Sequence, residues 1–239
     1  MSQFVLEPKT LKILENFSGF NKGIVITPGN ILALKSSTGS VRAFANLDQS
    51  FDKQIPIYDL KKFFSILSLF PKPTLMVDDK VIRVQQDGRS VNYTLAPLSV
   101  IVHPTERRED GTFMKVVYQT VDISFDLTEK VLTDAIKAAG VIGVPELAII
   151  GDGSTVNVVT LSTKNPTSDL YKEEIGETDK EFKLVFKIEN LKLLQADYKV
   201  EHSFTLNKGR ICPVRFYNDS LEYFVAAEKE STVPAMGDE

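Results

Sequence analysis

Much of the function of this chain is constrained by what its sequence has little of. Among 239 residues there is one cysteine, Cys212, two histidines, His103 and His202, and no tryptophan. A lone cysteine excludes an intrachain disulfide framework and a Cys-rich zinc site. His103 falls in a linker and His202 in a strand pattern, neither with a metal-ligand neighbour at useful spacing, so both read as surface or packing residues. The spacing-defined catalytic signatures are missing too: no G-x-x-x-x-G-K-[ST] loop, no G-x-S-x-G elbow, no H-E-x-x-H. Gly151-Asp152-Gly153-Ser154 joins two strand patterns and reads as a hairpin turn, not a phosphate cradle. Asp78-Asp79 is a carboxylate pair in a turn, where solvation accounts for it. No catalytic residue, metal or cofactor is therefore expected.

Long apolar runs are also lacking. The longest, Phe63 to Phe70, contains two serines and falls well short of the ~20 residues that span a bilayer. Met1-Ser2-Gln3-Phe4 has no basic region leading into an apolar one, so no signal peptide is expected. A soluble cytoplasmic chain with no membrane partner is the expectation. Positive charge is scarce in bulk: 28 Lys+Arg against 32 Asp+Glu gives −4, with a pI near 5.4. That argues against a protein that holds nucleic acid by a broad basic surface.

What is present is ordinary globular composition, 43 % hydrophobic and 25 % charged, laid out twice on one plan. Leu11, Leu14 and Phe17 repeat at helical spacing after Pro8, with Lys9, Lys12 and Asn16 opposite. A strand meander over Gly23–Ala45 and a short strand at Asp52–Ile57 lead into a second helix, Asp59–Leu69, stopped by Pro71 and Pro73. Strands come next at Thr74–Val77, Val81–Gln85 and Val91–Leu95. After a proline-bearing charged stretch the plan restarts. A strand at Val116–Phe125 precedes a helix opened by Asp126-Leu127-Thr128-Glu129 and capped at Gly140, then strands at Glu146–Ile150 and Thr155–Thr160. An acidic loop covers Asn165–Lys180, a strand Phe182–Phe186 and a helical segment Glu189–Gln195. Strands near Tyr198–Leu206, Cys212–Tyr217 and Glu222–Ala227 end the pattern.

Ile57-Tyr58-Asp59-Leu60-Lys61 and Ile188-Glu189-Asn190-Leu191-Lys192 introduce the second helix of each half, a weak internal repeat. The expectation is an α+β fold of two similar domains, residues 1–98 and 116–239, joined by a linker at 99–115. Three of the four helical segments carry +1 each and Glu129–Ala139 carries zero. Helices at +3 leave −7 elsewhere; lysines solvating the outer faces of amphipathic helices account for so small an excess.

Specific stretches resemble a known family. Phe17-Ser18-Gly19-Phe20-Asn21-Lys22-Gly23-Ile24-Val25, and above all Ile57-Tyr58-Asp59-Leu60-Lys61-Lys62-Phe63-Phe64-Ser65-Ile66-Leu67-Ser68-Leu69, are similar to the sliding clamps of T-even-type bacteriophages. Leu191–Lys199 and Tyr223–Glu228 support the match, which is close over about residues 10–95 and patchy afterwards. The resemblance implies two clamp-type domains per chain, helices lining a central pore and antiparallel sheets outside. It implies a homotrimer that encircles double-stranded DNA, tethers the replicative DNA polymerase, is loaded by a clamp loader and serves late-transcription factors in the cytoplasm of the infected bacterial host. On that reading Lys9, Lys12, Lys61, Lys62, Lys130, Lys137 and Lys192 face DNA, attracting phosphates without reading bases. Partners of such clamps insert a short peptide into an apolar pocket. Val100, Ile101 and Val102 are the candidate for part of it, the alternative being a linker strand packed on its own domain. A virion or baseplate structural protein would be equally β-rich and free of catalytic motifs.

Overall fold

The computed structural model describes residues 2–106, 108–109, 112–207 and 210–234, and divides into two compact units, Met1–Met114 and Lys115–Glu239. Arg107, Asp110 and Gly111 of the expected linker, and residues 235–239, lie outside the described residues.

The first unit runs β1 (Ser2–Phe4), α1 (Pro8–Phe17), β2 (Ile24–Ile26), β3 (Gly29–Lys35), β4 (Val41–Phe51), β5 (Ile55–Ile57), α2 (Leu60–Leu67), β6 (Thr74–Val77), β7 (Val81–Gln86) and β8 (Arg89–Thr94), then a single 3-10 turn at Leu98–Val100. An antiparallel sheet in the order β1-β6-β7-β8 is accompanied by a β3–β4 hairpin and a β2–β5 pair. Both helices form where the sequence offers an apolar stripe and a defined start. In α1, Pro8 takes the first turn and Thr10, Ile13, Leu14 and Phe17 turn inward. In α2, Asp59 caps the helix by accepting the Lys62 N–H at 2.9 Å, and Leu60, Phe63 and Leu67 are buried. Phe63 meets the Tyr93 ring edge-on at 5.4 Å, which seats α2 on β8.

The two stretches that carry the family resemblance meet in space. The Leu60 N–H donates to the Lys22 carbonyl at 2.8 Å. A Cβ on Gly23 would stand 2.7 Å from the Ile57 carbonyl oxygen and 2.8 Å from that of Tyr58, so only glycine fits between them.

The second unit runs β9 (Ile123–Leu127), α3 (Glu129–Ile142), β10 (Glu146–Asp152), β11 (Thr155–Leu161), β12 (Tyr171–Glu177), β13 (Glu181–Lys187), a 3-10 turn at Ile188–Leu191, β14 (Tyr198–His202), β15 (Leu206–Asn207), β16 (Arg210–Ile211), β17 (Val214–Tyr217) and β18 (Leu221–Val225). One sheet has the order β12-β11-β10-β13, and β9, β14, β17 and β18 lie side by side in another. The two sheets share a core in which Phe186 and Phe216 meet edge-on at 5.9 Å.

Several expectations fail for identifiable reasons. The acidic segment 165–180 holds a strand, β12, whose inward residues Tyr171, Glu173 and Ile175 lie on the face beneath α3 and carry only two hydrophobes. An edge strand with so few apolar residues leaves no alternation to read. The helix expected over Glu189–Gln195 is one 3-10 turn ending at Leu191. Leu194 is claimed by tertiary bonds instead: its N–H donates to the Tyr223 hydroxyl at 3.3 Å and its carbonyl accepts from the Tyr198 hydroxyl. Helix α3 continues through Gly140 to Ile142 and stops at Gly143, in the left-handed conformation at φ 74°. The strand expected from Val116 starts only at Ile123. Val116–Asp122 is irregular, with the Tyr118 hydroxyl donating to the Pro213 carbonyl and the Asp122 N–H to the His202 carbonyl at 3.0 Å.

The sheet edges differ in how they are finished. The outer edge of β13 is covered by the C-terminal segment: Glu228 N–H donates to the Val185 carbonyl at 2.8 Å, Val185 N–H to the Ser231 hydroxyl at 2.9 Å, and Lys183 and Thr232 pair reciprocally at 2.8 Å. Among the described residues, β8 and β12 pair on one side only within their own units.

Candidate nucleic-acid interface

Lysines stand on the outward stripes of α1, α2 and α3. On α1, Lys9 and Lys12 are exposed and separated by about 60° around the axis. Lys9 pairs with Asp48 at 3.1 Å, whereas Lys12 has no ion pair among the described residues. On α2, Lys61 and Lys62 are exposed, diverge by about 100° and bracket Ser65 on the same outward arc. Neither has an ion-pair partner among the described residues, and the arc between them is otherwise hydroxyl. No carboxylate on α2 itself competes with an incoming phosphate, and the nearby Asp59 is already engaged. It caps the helix and accepts the Lys22 ammonium at 3.1 Å. The Lys62 N–H bond, more than the Lys22 contact, holds the Asp59 carboxyl below the usual carboxylate range, and Asp59 in turn raises Lys22. Replacing Asp59 by Ala is expected to cost about 1 kcal/mol in urea denaturation, the usual worth of an N-cap, with Asp59→Asn retaining most of it.

Helix α3 differs. Lys130, Asp134, Lys137 and Val141 recur at helical spacing along its outward side. Lys130 is neutralised by Asp134 at 2.7 Å, Lys137 has no ion pair among the described residues, and Val141 is 87 % exposed. Lys192, expected on a fourth helix, sits instead just past the 3-10 turn, exposed but off any α-helical face. The seven lysines are thus divided between unequal surfaces. The first unit carries 14 Lys+Arg against 11 Asp+Glu, net +3; the second carries 14 against 21, net −7.

Val100 and Val102 are exposed at 53 % and 46 %, but Ile101 between them is buried. The 3-10 turn directs Ile101 inward, and the Asn21 amide donates to the Val102 carbonyl at 2.8 Å. Ile101 therefore packs within the first unit, while Val100 and Val102 stand exposed beside it.

Sequence reasoning missed two features. Lys22 lies across the Tyr58 ring at 4.7 Å and lines a groove with Lys61, Lys62 and Ser65; its place in the family-like stretch Phe17–Val25 was the available signal. The open edges β8 and β12 gave none, because an edge is a property of sheet order. Their charges differ. Arg89 lies over the Phe70 ring at 5.6 Å, and Arg83 of β7 donates to Asn92 of β8. Strand β12 carries Glu173, Glu174 and Glu177.

Comparison with known proteins places this geometry. The family described as gp45 sliding clamp, C terminal, matches residues 124–229, the half in which the sequence resemblance read as patchy. The sliding clamp of Vibrio phage KVP40 is 28 % identical over 93 % of this chain and 98 % of its own length, and that of Enterobacteria phage T4 is 24 % identical over 95 % and 98 %. Among solved structures, A. fulgidus PCNA bound to the C-terminal region of FEN-1 superposes with a TM-score of 0.65 at 14 % identity, covering 97 % of this chain and all of that one. The Helicobacter pylori beta clamp bound to a DNA ligase peptide gives 0.66 at 11 %, covering 95 % of this chain and 65 % of that one. Curated relatives aligned along nearly the whole length, a clamp fold and a matching C-terminal domain agree: the chain is similar throughout to the bacteriophage sliding clamps, and its function is that of a non-enzymatic processivity factor of DNA replication.

Proposed function

We propose that three copies of this chain close head to tail into a ring around double-stranded DNA, β8 of one copy against β12 of the next. The observation that carries this reading is the pair of open, oppositely charged edges, one in a unit of net +3 and one in a unit of net −7. An edge strand left unpaired is a template for another strand. Two different edges of complementary charge on one chain favour a heterologous contact, which closes into a ring when the rotation per copy permits. Exposed Leu69, next to the Phe70 ring that Arg89 of β8 lies over, and exposed Leu170, directly before β12, would be covered by closure.

Within the ring, Lys12, Lys61, Lys62 and Lys137 supply mobile phosphate attraction, with Lys9, Lys130 and Lys192 secondary. Enclosure replaces tight binding, so a net −4 chain suffices. The ring tethers the replicative polymerase, is opened by a clamp loader, and serves late-transcription factors in the host cytoplasm. Val100 and Val102 contribute to the peptide-binding surface.

The test is primer extension on circular and linear templates, with particle mass measured by light scattering. A trimer that raises processivity on primed circles and slides off linear ends is expected. A stable monomer, or a large open polymer of the kind a virion protein forms, would overturn the reading. Replacing Lys12, Lys61, Lys62 and Lys137 by Ala should leave the trimer mass unchanged and cut DNA-dependent loading about tenfold at moderate salt, since each phosphate contact steepens the salt dependence by about one unit. Loading unchanged across a salt series removes these lysines from the DNA face.

A further inference from the structure

Strand β13 is bonded to β10 on one side, and its other side would be a further open edge but for the C-terminal segment. The outward backbone groups are those of Lys183 and Val185, and residues 228–232 satisfy all four. Thr232 takes both groups of Lys183, the Val185 carbonyl accepts from the Glu228 N–H, and the Val185 N–H donates to the Ser231 hydroxyl. The cover is polar: Glu228-Lys229-Glu230-Ser231-Thr232 contains no apolar side chain, and Lys229 at its turn is 90 % exposed. The strand beneath is the opposite. Phe182, Leu184, Val185 and Phe186 are all buried, and an apolar, aromatic run without proline is the kind of strand that recruits others when its edge is bare.

Strand β13 is also complementary to itself. Turned antiparallel on a second copy about Leu184, it sets Lys183 opposite Val185 and Glu181 opposite Lys187. These are the alternate residues whose backbone groups point out of the sheet edge, so each pair would exchange two hydrogen bonds. Glu181 and Lys187 are exposed, and a two-fold axis makes their opposite-charge contact twice. The cover imitates that contact, with Glu228 standing 4.0 Å from Lys187. We propose that β13 is a masked assembly edge that accepts β13 of a second copy, and that residues 228–232 keep it shut. The contact is isologous and uses neither β8 nor β12. Where copies assemble through those two strands, the cover keeps this third edge out.

The test measures particle mass by light scattering over a concentration series. It compares the full chain with Ser231→Ala plus Thr232→Pro, which removes the hydroxyl and one N–H that hold the cover. This lifted variant is expected to reach at least twice the parent's mass with unchanged circular dichroism, and a chain shortened after Ala227 to do the same. Adding Lys187→Glu to the lifted variant sets like charges opposite each other twice per contact and should weaken the association about tenfold. Adding Glu181→Lys as well should restore it. The reference is the parent's own mass, so the outcome does not depend on how many copies close a ring. Parent mass in both lifted forms, or association indifferent to Lys187→Glu, would overturn the proposal. So would loss of the circular dichroism signal in both lifted forms, which would make the segment part of the core and not a cover.

Discussion

Between pH 7 and pH 4 the second unit is expected to lose about 3 kcal/mol of stability through one side chain, His202. The ring is fully buried in β14, with neither nitrogen hydrogen-bonded among the described residues, between the edge-on rings of Tyr118 at 6.3 Å and Phe204 at 6.0 Å. Burial pushes its pKa down from 6.5 to about 4, against a weaker opposing pull from Asp122. The folded pKa lies below the unfolded one, so the folded state favours the neutral ring. The stability tied to that neutrality is complete above about pH 6.5 and is lost as pH falls towards 4. Below 4 both states are charged and the difference no longer grows. Two to three pH units at about 1.4 kcal/mol each give a loss of that size.

His202→Phe keeps the aromatic packing and removes the titration. The measurement is amide exchange in β14, or urea denaturation of the second unit, at pH 7, 5.5 and 4 for the parent and His202→Phe. Carboxylates titrate in both proteins, so the difference between them isolates the histidine. Parallel pH curves would show that His202 is hydrated or paired in solution.

Reversing the charge on one edge should break the assembly, and reversing both should restore it. Glu174→Arg with Glu177→Arg on β12 sets like charges opposite Arg83 and Arg89 in a β8–β12 contact. Juxtaposed like charges cost several kcal/mol, so dissociation should rise on the order of 100-fold. Arg83→Glu with Arg89→Glu should do the same. The fourfold variant re-creates an opposite-charge contact at every interface and should recover the trimer mass. Mixing the two double variants gives a sharper result. Opposite charges then meet only when the two kinds of chain alternate, which an even-membered ring permits and a three-membered ring does not. Recovery by the fourfold chain without recovery by mixing is therefore the signature of a trimer. Failure of the fourfold chain would show that this charge pair does not set the contact.

Helices and most strands were legible because their signals are local. Pro8 followed by inward residues at helical spacing, and Asp59 positioned to cap the helix that ends before Pro71, specify α1 and α2 without reference to the rest of the chain. The hairpin at Asp152 was equally plain, since its carboxylate accepts the N–H groups of Ser154 and Thr155, two and three residues on. The signal failed where distant groups decide. Two tyrosine hydroxyls, one of them from β18, take the Leu194 backbone and leave no helix after Leu191. Strand β12 looked like an acidic loop because an edge needs only the single face that packs under α3.

By itself, then, the sequence determined an α+β chain of two similar halves, without catalytic chemistry, that puts lysines opposite the apolar stripes of short helices; these features come from spacing and residue type. Tertiary structure alone decided which lysines lack an ion-pair partner, that Ile101 is buried, and that β8 and β12 are open edges while β13 is covered. An ion pair, a buried side chain and a sheet edge are each defined by neighbours far along the chain, and residue spacing carries no record of them.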